Sequence, residues 1–161
     1  MNLKGKYWFL LILLLITVSC GFQPIYKTGD GKERLLEFDL NFLNGASYET
    51  QNIIKSTFQG SQSTALYSIN LSVLENQSAL VTNSNGTVSK YRVEVIVDFK
   101  VNESSSGKII YTDISRGFSE YLVQTSEIET NDKYKQAIGI AAQEAVQMMS
   151  IKIQSNILQS Q

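Results

Sequence analysis

The sequence predicts an α+β fold, a two-layer sandwich in which a four-stranded, mostly antiparallel sheet carries two helices on one face in the order β-α-β-β-β-α. Its 161 residues, 43% hydrophobic and 18% charged, suit one domain with a core of its own. The segment "YRVEVIVDFKV" (residues 91–101) alternates apolar and polar side chains, as a strand with one buried face does. A segment near the C-terminus instead repeats its apolar residues every three or four positions, which is the period of a helix.

The first two elements follow a polar stretch. Leu36, Phe38, Leu40 and Phe42 alternate with polar residues, so they predict the first strand. Ser47 can then cap a short helix that ends at about residue 59, with its inner face made by residues four apart, Ile54 and Phe58.

Three strands are expected next, within residues 67–73, 91–101 and 108–123. The first could continue through "NQSALV" beyond the sheet, and Asn85-Gly86 and residues 102–108 suit tight turns. The third strand does not keep one phase, because Ile109 and Tyr111 lie on one parity and Ile114 and Phe118 on the other. We therefore expect a β-bulge near Gly117.

The last segment predicts a long helix. Ser126 and Glu129 resemble a capping box, although Asn131 could begin the helix instead. One apolar face is expected, with small residues at its centre that allow close approach to a sheet: Tyr134, Ile138, Ala141, Ala145 and Met148. We interpret this helix as packed on the sheet of its own domain.

The N-terminus predicts a secretory signal and a lipid anchor. Lys4 and Lys6 precede an apolar run at residues 7–18 that is too short to cross a bilayer as a helix. The run ends in Thr17-Val18-Ser19-Cys20, which resembles the lipobox of bacterial lipoproteins, although Thr17 stands where Leu is usual. The alternative is a buried free thiol beside an ordinary signal peptide or an uncleaved anchor. We expect removal of residues 1–19, a lipidated N-terminus and tether at 20–34, and one domain at 35–161.

Several function classes are disfavoured by the residue inventory. The chain has no histidine, so the Ser/His/Asp type of nucleophilic site is excluded and an enzyme is not expected. A net charge of −1 gives no basic field for nucleic acid. No phosphate loop or metal-ligand spacing occurs, so no metal and no cofactor beyond the lipid on Cys20 are expected. The carboxylate pairs Glu37/Asp39 and Glu127/Glu129 are interpreted as solvated charge.

The remaining feature is a loose set of cations around the middle strands. By alternation Lys90, Arg92 and Lys100 share the outward face of their strand, where Glu94 and Asp98 partly neutralise them. The favoured interpretation is a solvated face with cross-strand ion pairs. The alternative is contact with the phosphates of an anionic glycolipid through charge-assisted hydrogen bonds. Lys108 and Arg116 belong to the same set.

The stretch "CGFQPIY" (residues 20–26) and the strand–hairpin–strand segment at 87–121 resemble the lipopolysaccharide-assembly lipoprotein family, LptE. The resemblance implies a lipoprotein of the outer membrane, on its periplasmic side, that plugs an LptD-type β-barrel, helps that barrel fold and assists insertion of lipopolysaccharide. It implies Cys20 as the anchor, with Gly21, Phe22 and Pro24 in the N-terminal motif. Lys90 and Arg92 are the candidate lipopolysaccharide contacts. The competing hypothesis is a lipid-anchored structural or adhesive envelope protein without a transport role.

Overall fold

The computed structural model describes residues 38–58 and 65–159. Cys20 and the predicted signal, tether and start of the domain therefore lie outside the described residues. The elements are β1 (Phe38–Phe42), α1 (Tyr48–Phe58), β2 (Tyr67–Thr82), β3 (Val88–Glu103), β4 (Ile109–Leu122) and α2 (Glu127–Gln159). This order confirms the predicted α+β fold.

The four strands form one sheet in the order β1-β2-β3-β4. β1 and β2 are parallel, as expected for strands joined by a helix, whereas β2–β3 and β3–β4 are antiparallel hairpins. The two hairpin turns are the predicted ones, and each uses a glycine with a positive φ, +84° at Gly86 and +67° at Gly107. The sheet is therefore mixed but mostly antiparallel, as predicted.

The core lies between one face of the sheet and the helices. β2 buries Ile69, Leu71 and Val73 on this inner face, and β3 buries every second residue from Val93 to Val101. From α1, Ile54 and Phe58 join them, and the Phe58 ring meets Phe38 edge-on at 5.6 Å between centroids. The opposite face, which we call the open face, carries the alternate residues of the same strands.

The first helix begins where Ser47 predicts. The Thr50 N–H donates to Ser47 Oγ at 3.3 Å, as an N-cap requires. Glu75 of β2 ties this cap to the sheet, because its Oε1 accepts bonds from Ser47 N (3.1 Å), Ser47 Oγ (2.7 Å) and Thr50 Oγ1 (2.6 Å). α1 is thereby fixed over β2.

The second helix begins at Glu127, as the Ser126 alternative predicts. Thr130, rather than Glu129, makes the side-chain bonds of this terminus: its hydroxyl donates to Ser126 O at 2.9 Å and accepts from Gln124 N at 2.9 Å. The buried face of α2 is centred on alanines, as expected, with one correction at its end. Met148 is 45% exposed, and Met149 is fully buried in its place.

The predicted bulge near Gly117 is wrong. The β3–β4 register runs unbroken from Lys90↔Leu122 to Val101↔Tyr111, and its one shift lies between Val101 and Asn102. Ile114 and Phe118 are out of phase because they lie on the open face, 42% and 46% exposed. A bulge is required only if all apolar residues of β4 share one buried face, whereas the strand displays them on both faces.

Candidate functional site: the open face of the sheet

The open face brings the predicted cations together with a carboxylate from the next strand. Lys90 and Arg92 lie on β3, and the register places Arg92 opposite Glu120 of β4. Arg92 Nη2 lies 2.8 Å from Glu120 Oε1, and the Lys90 ammonium contacts Glu120 Oε2. One carboxylate thus serves two cations, and the cluster Lys90–Arg92–Glu120 carries a net charge of about +1.

The contacts with Lys90 and Arg92 change the pKa of the Glu120 carboxylate. The hydrogen bonds from Lys90 and Arg92 lower the pKa of Glu120, so Glu120 is ionised at neutral pH. The three side chains are only partly exposed, at 34%, 46% and 33%. The cluster is therefore an organised surface group in which an incoming anion would compete with Glu120.

The structure revises which acids neutralise which bases. Glu94 does pair with a cation, but the partner is Arg116 of β4, whose Nη1 lies 3.2 Å from Glu94 Oε1. Lys100 lies opposite Asn70 and Thr112 in the register, at the other end of the same face. The residue missed by the sequence analysis is Glu120, since only the strand register shows that it faces Arg92.

Apolar side chains adjoin the cluster. Arg92, Phe118, Ser119 and Glu120 line a shallow depression of about 410 Å³. Phe118 is 46% exposed and Leu122, which lies opposite Lys90 in the register, is 56% exposed. The open face therefore combines cationic groups with exposed apolar surface over a few strand positions, an arrangement that suits an amphiphilic anion.

The inner face carries a second depression at the same end of the sheet. The Tyr121 ring stacks on Tyr91 at 5.5 Å and meets Tyr134 at 5.8 Å between centroids. Gln77 Nε2 donates to the Tyr121 hydroxyl at 2.6 Å. Burial, with Tyr91 and Tyr134 nearby, raises the pKa of Tyr121, so its phenol stays neutral at physiological pH. Tyr121, Tyr134 and Gln77 are among the residues around this depression of about 320 Å³.

Helix α2 holds the β4 strand that supplies Glu120 and Phe118. Lys152 Nζ donates to Ile114 O at 2.7 Å and lies 2.9 Å from Asp113 Oδ2, while Glu144 Oε2 accepts from Phe118 N at 2.8 Å. These bonds use backbone groups on the outer edge of β4. The position of the open-face residues is therefore fixed from the helix side.

The described residues contain neither a metal-binding cluster nor a helix that could span a membrane. No three or more Asp, Glu or Cys residues within 38–58 and 65–159 are grouped so that they could hold a metal ion. In the same part of the chain, neither helix has the length and hydropathy needed to span a bilayer.

The fold is shared with several bacterial lipoproteins. No protein-family model and no curated protein matches the chain. Among solved structures, the fold is similar to that of a candidate lipoprotein of Caulobacter crescentus, with a TM-score of 0.65, 16% identity, and coverage of 79% of this chain and 94% of that one. Rare lipoprotein B of Shewanella oneidensis gives a TM-score of 0.59 at 12% identity, over 76% of this chain and 97% of the other. A minor lipoprotein of Acinetobacter baumannii gives 0.59 at 13% identity, over 76% and 92%. The described domain therefore has the fold of these lipoproteins.

Proposed function

We propose that this protein is an outer-membrane lipoprotein that plugs and helps to assemble an LptD-type β-barrel and assists insertion of lipopolysaccharide into the outer leaflet. Cys20 carries the lipid anchor, and the domain acts by binding, without catalysing a covalent reaction. The shared fold supports the lipoprotein class, and the resemblance of residues 20–26 supports the LptE family.

The proposed binding of lipopolysaccharide depends on one observation. Lys90 and Arg92 lie next to the exposed apolar side chains of Phe118 and Leu122. Lipopolysaccharide presents phosphates beside acyl chains, so its recognition needs cations next to apolar surface. Arg and Lys bind phosphate by charge-assisted hydrogen bonds, and the exposed Phe118 ring offers contact to an acyl chain. Because Glu120 already holds both cations, binding has to displace that carboxylate or use the remaining positive charge. We expect a modest affinity.

Charge reversal tests whether Lys90 and Arg92 bind lipopolysaccharide. Lys90→Glu with Arg92→Glu should weaken lipopolysaccharide binding at least tenfold, because both phosphate donors are replaced by like charges. The matched control is Lys133→Glu with Lys135→Glu, which makes the same charge change on exposed positions of α2. Circular dichroism should be unchanged in both variants. Equal binding by the two variants would show that Lys90 and Arg92 are solvated strand residues.

Co-purification tests whether the protein binds an LptD-type barrel. The tagged full-length protein should retain an LptD-type barrel in detergent extracts, and its depletion should reduce lipopolysaccharide at the cell surface. Recovery of the protein alone, with normal export after depletion, would contradict the proposal. That result would favour a lipid-anchored structural or adhesive protein of the envelope.

A further inference from the structure

Among the described residues, side chains bond the backbone groups along the β4 edge of the sheet, whereas part of the β2 edge has no such partners. On β4, Asp113 Oδ1 accepts from Ile114 N at 2.7 Å, and Lys152 and Glu144 bond Ile114 O and Phe118 N. On β2, the edge is covered by β1 as far as Leu71, whose C=O accepts from Leu43 N at 2.8 Å. Beyond that point the cover of β2 ends within a few residues.

The cover ends at Asn44. Its side chain exchanges two bonds with the backbone of Val73, accepting from Val73 N at 2.8 Å and donating to Val73 O at 2.8 Å. The amide thus acts as the last residue of the neighbouring strand. It also shows that Val73 directs its N–H and C=O outward. Because these groups alternate along a strand, those of Glu75, Gln77 and Ala79 point the same way.

Residues 75–79 of β2 form an exposed edge. Within the described ranges, 38–58 and 65–159, no hydrogen bond joins the outward N–H and C=O groups of Glu75, Gln77 and Ala79. The segment continues to pair with β3 on its other side and ends at a register shift between Ala79 and Val81. It contains no proline and, apart from Glu75, no charge. Lysine and proline are the usual devices against strand addition, and residues 75–79 have neither.

We propose that residues 75–79 of β2 pair antiparallel with the same segment of a second copy, about a two-fold axis at Gln77. In this register Gln77 faces Gln77 of the second copy, Glu75 faces Ala79, and Asn76 faces Ser78. The three pairs with outward groups would exchange about six hydrogen bonds, two at each pair. The second copy is favoured because the segment is complementary to itself: neither Glu75 meets another acid.

The two ends of the segment select this register. Moving the axis toward Glu75 would require the backbone groups of Val73, which Asn44 already holds. Moving it toward Ala79 would bring the irregular pairing around Val81 into the contact. Only the register centred on Gln77 uses all three residues whose outward groups have no partner within residues 38–58 and 65–159, and no other residues. This proposal stands independently of the proposed function.

Cysteine crosslinking tests the axis. Two residues that face each other as a hydrogen-bonded pair have Cα atoms about 5.5 Å apart, which a disulfide can span. In the full-length protein in detergent, Gln77→Cys should therefore form a disulfide dimer with itself on mild oxidation. Glu75→Cys should crosslink to Ala79→Cys when the two variants are mixed. Ser105→Cys, in the exposed turn at the other end of β3, is the matched control, and the chain without added cysteine gives the background. Gln77→Cys dimers no more abundant than Ser105→Cys dimers would overturn the proposal.

Charge substitution gives a second test that needs no crosslink. Ala79→Glu places an acid opposite Glu75 at two positions of the dimer and should weaken self-association at least about fivefold in sedimentation equilibrium. Ala79→Lys places a base there and should leave association equal or stronger. A protein that sediments as a monomer at every concentration, or two variants that weaken association equally, would overturn the proposed register.

Discussion

Gly117 of β4 lies directly beneath Ala141 of α2, so closely that a Cβ atom on Gly117 would lie 2.0 Å from Ala141 O and 2.6 Å from Ala145 N. Both neighbours are helix backbone and cannot rotate away. The glycine is therefore the contact that lets α2 lie against the sheet, with Ala141 and Ala145 fully buried on the helix side. This contact also places Glu144 beside Phe118 and Lys152 beside Ile114.

The first prediction concerns this contact. Gly117→Ala should lower the free energy of unfolding by about 3 kcal/mol, because α2 has to move off the strand. The matched control is Gly139→Ala on α2, where an added Cβ meets nothing within 4 Å. That control should stabilise the protein by roughly 0.5–1 kcal/mol through helix propensity. Urea denaturation measures both, and equal midpoints for the two variants would contradict the close packing.

The second prediction concerns acid stability. The bond from Lys152, with those from Ile114 N and the Tyr111 hydroxyl, lowers the pKa of Asp113 to about 2. A depressed pKa stabilises the folded state above the unfolded value of 3.8, and this stability is lost as the pH falls toward 2. The Asp113 side chain is 36% exposed, so solvent screening limits the contribution to about 1 kcal/mol.

Asp113→Asn should therefore destabilise the protein at pH 7 but not at pH 2. The difference in unfolding free energy from the parent chain should shrink progressively below about pH 4. Asp39→Asn, which removes an exposed carboxylate of β1, is the control and should give a smaller difference at pH 7. A difference for Asp113→Asn that does not change with pH would exclude the ion pair with Lys152 as its cause.

The alternation of apolar and polar residues predicts which residues of a strand share a face. It does not predict which other strand lies next to that strand. Residues 91–101 were placed correctly, since each buried position falls on one parity. Ile114 and Phe118 were misplaced because the alternation rule assumes that apolar residues point inward. β4 instead turns Ser115 and Gly117 inward, and at Gly117 the backbone of α2 at Ala141 and Ala145 leaves no room for a side chain. The space between α2 and β4 depends on how the two elements pack, so the sequence of β4 alone does not reveal it.

The candidate site was predicted in part for a related reason. Lys90 and Arg92 could be assigned to one face from β3 alone. Their shared partner Glu120 depends on the pairing of β3 with β4, which the hairpin turn and the register shift after Val101 set together. One residue of slip would exchange the faces of β4 and move Glu120 away from Arg92.

The third prediction concerns the proposed anchor residue, Cys20, which lies outside the described residues. If Cys20 carries the proposed lipid, Cys20→Ala should abolish labelling by radioactive palmitate and leave an unprocessed precursor, because the variant lacks the thiol that would accept the lipid. Thr17→Leu, which restores the usual residue of the lipobox, should be processed at least as well as the parent chain. Gel mobility and acyl labelling measure both variants. Normal processing of Cys20→Ala would contradict the lipoprotein assignment.

The last prediction separates a ligand role of Lys90 and Arg92 from a merely structural one. Glu120→Gln keeps the size of the side chain but removes the charge that both cations contact. If Lys90 and Arg92 bind phosphate, the released cations should bind lipopolysaccharide more tightly, by roughly threefold to tenfold, because no carboxylate competes. The gain should fall as salt is added, since the contacts involved are exposed. Glu94→Gln, which frees Arg116 on the same face with the same charge change, is the control and should give a smaller gain. Reduced binding by Glu120→Gln would show that Glu120 positions the cations rather than competing for them, and unchanged binding would remove this cluster from the ligand site.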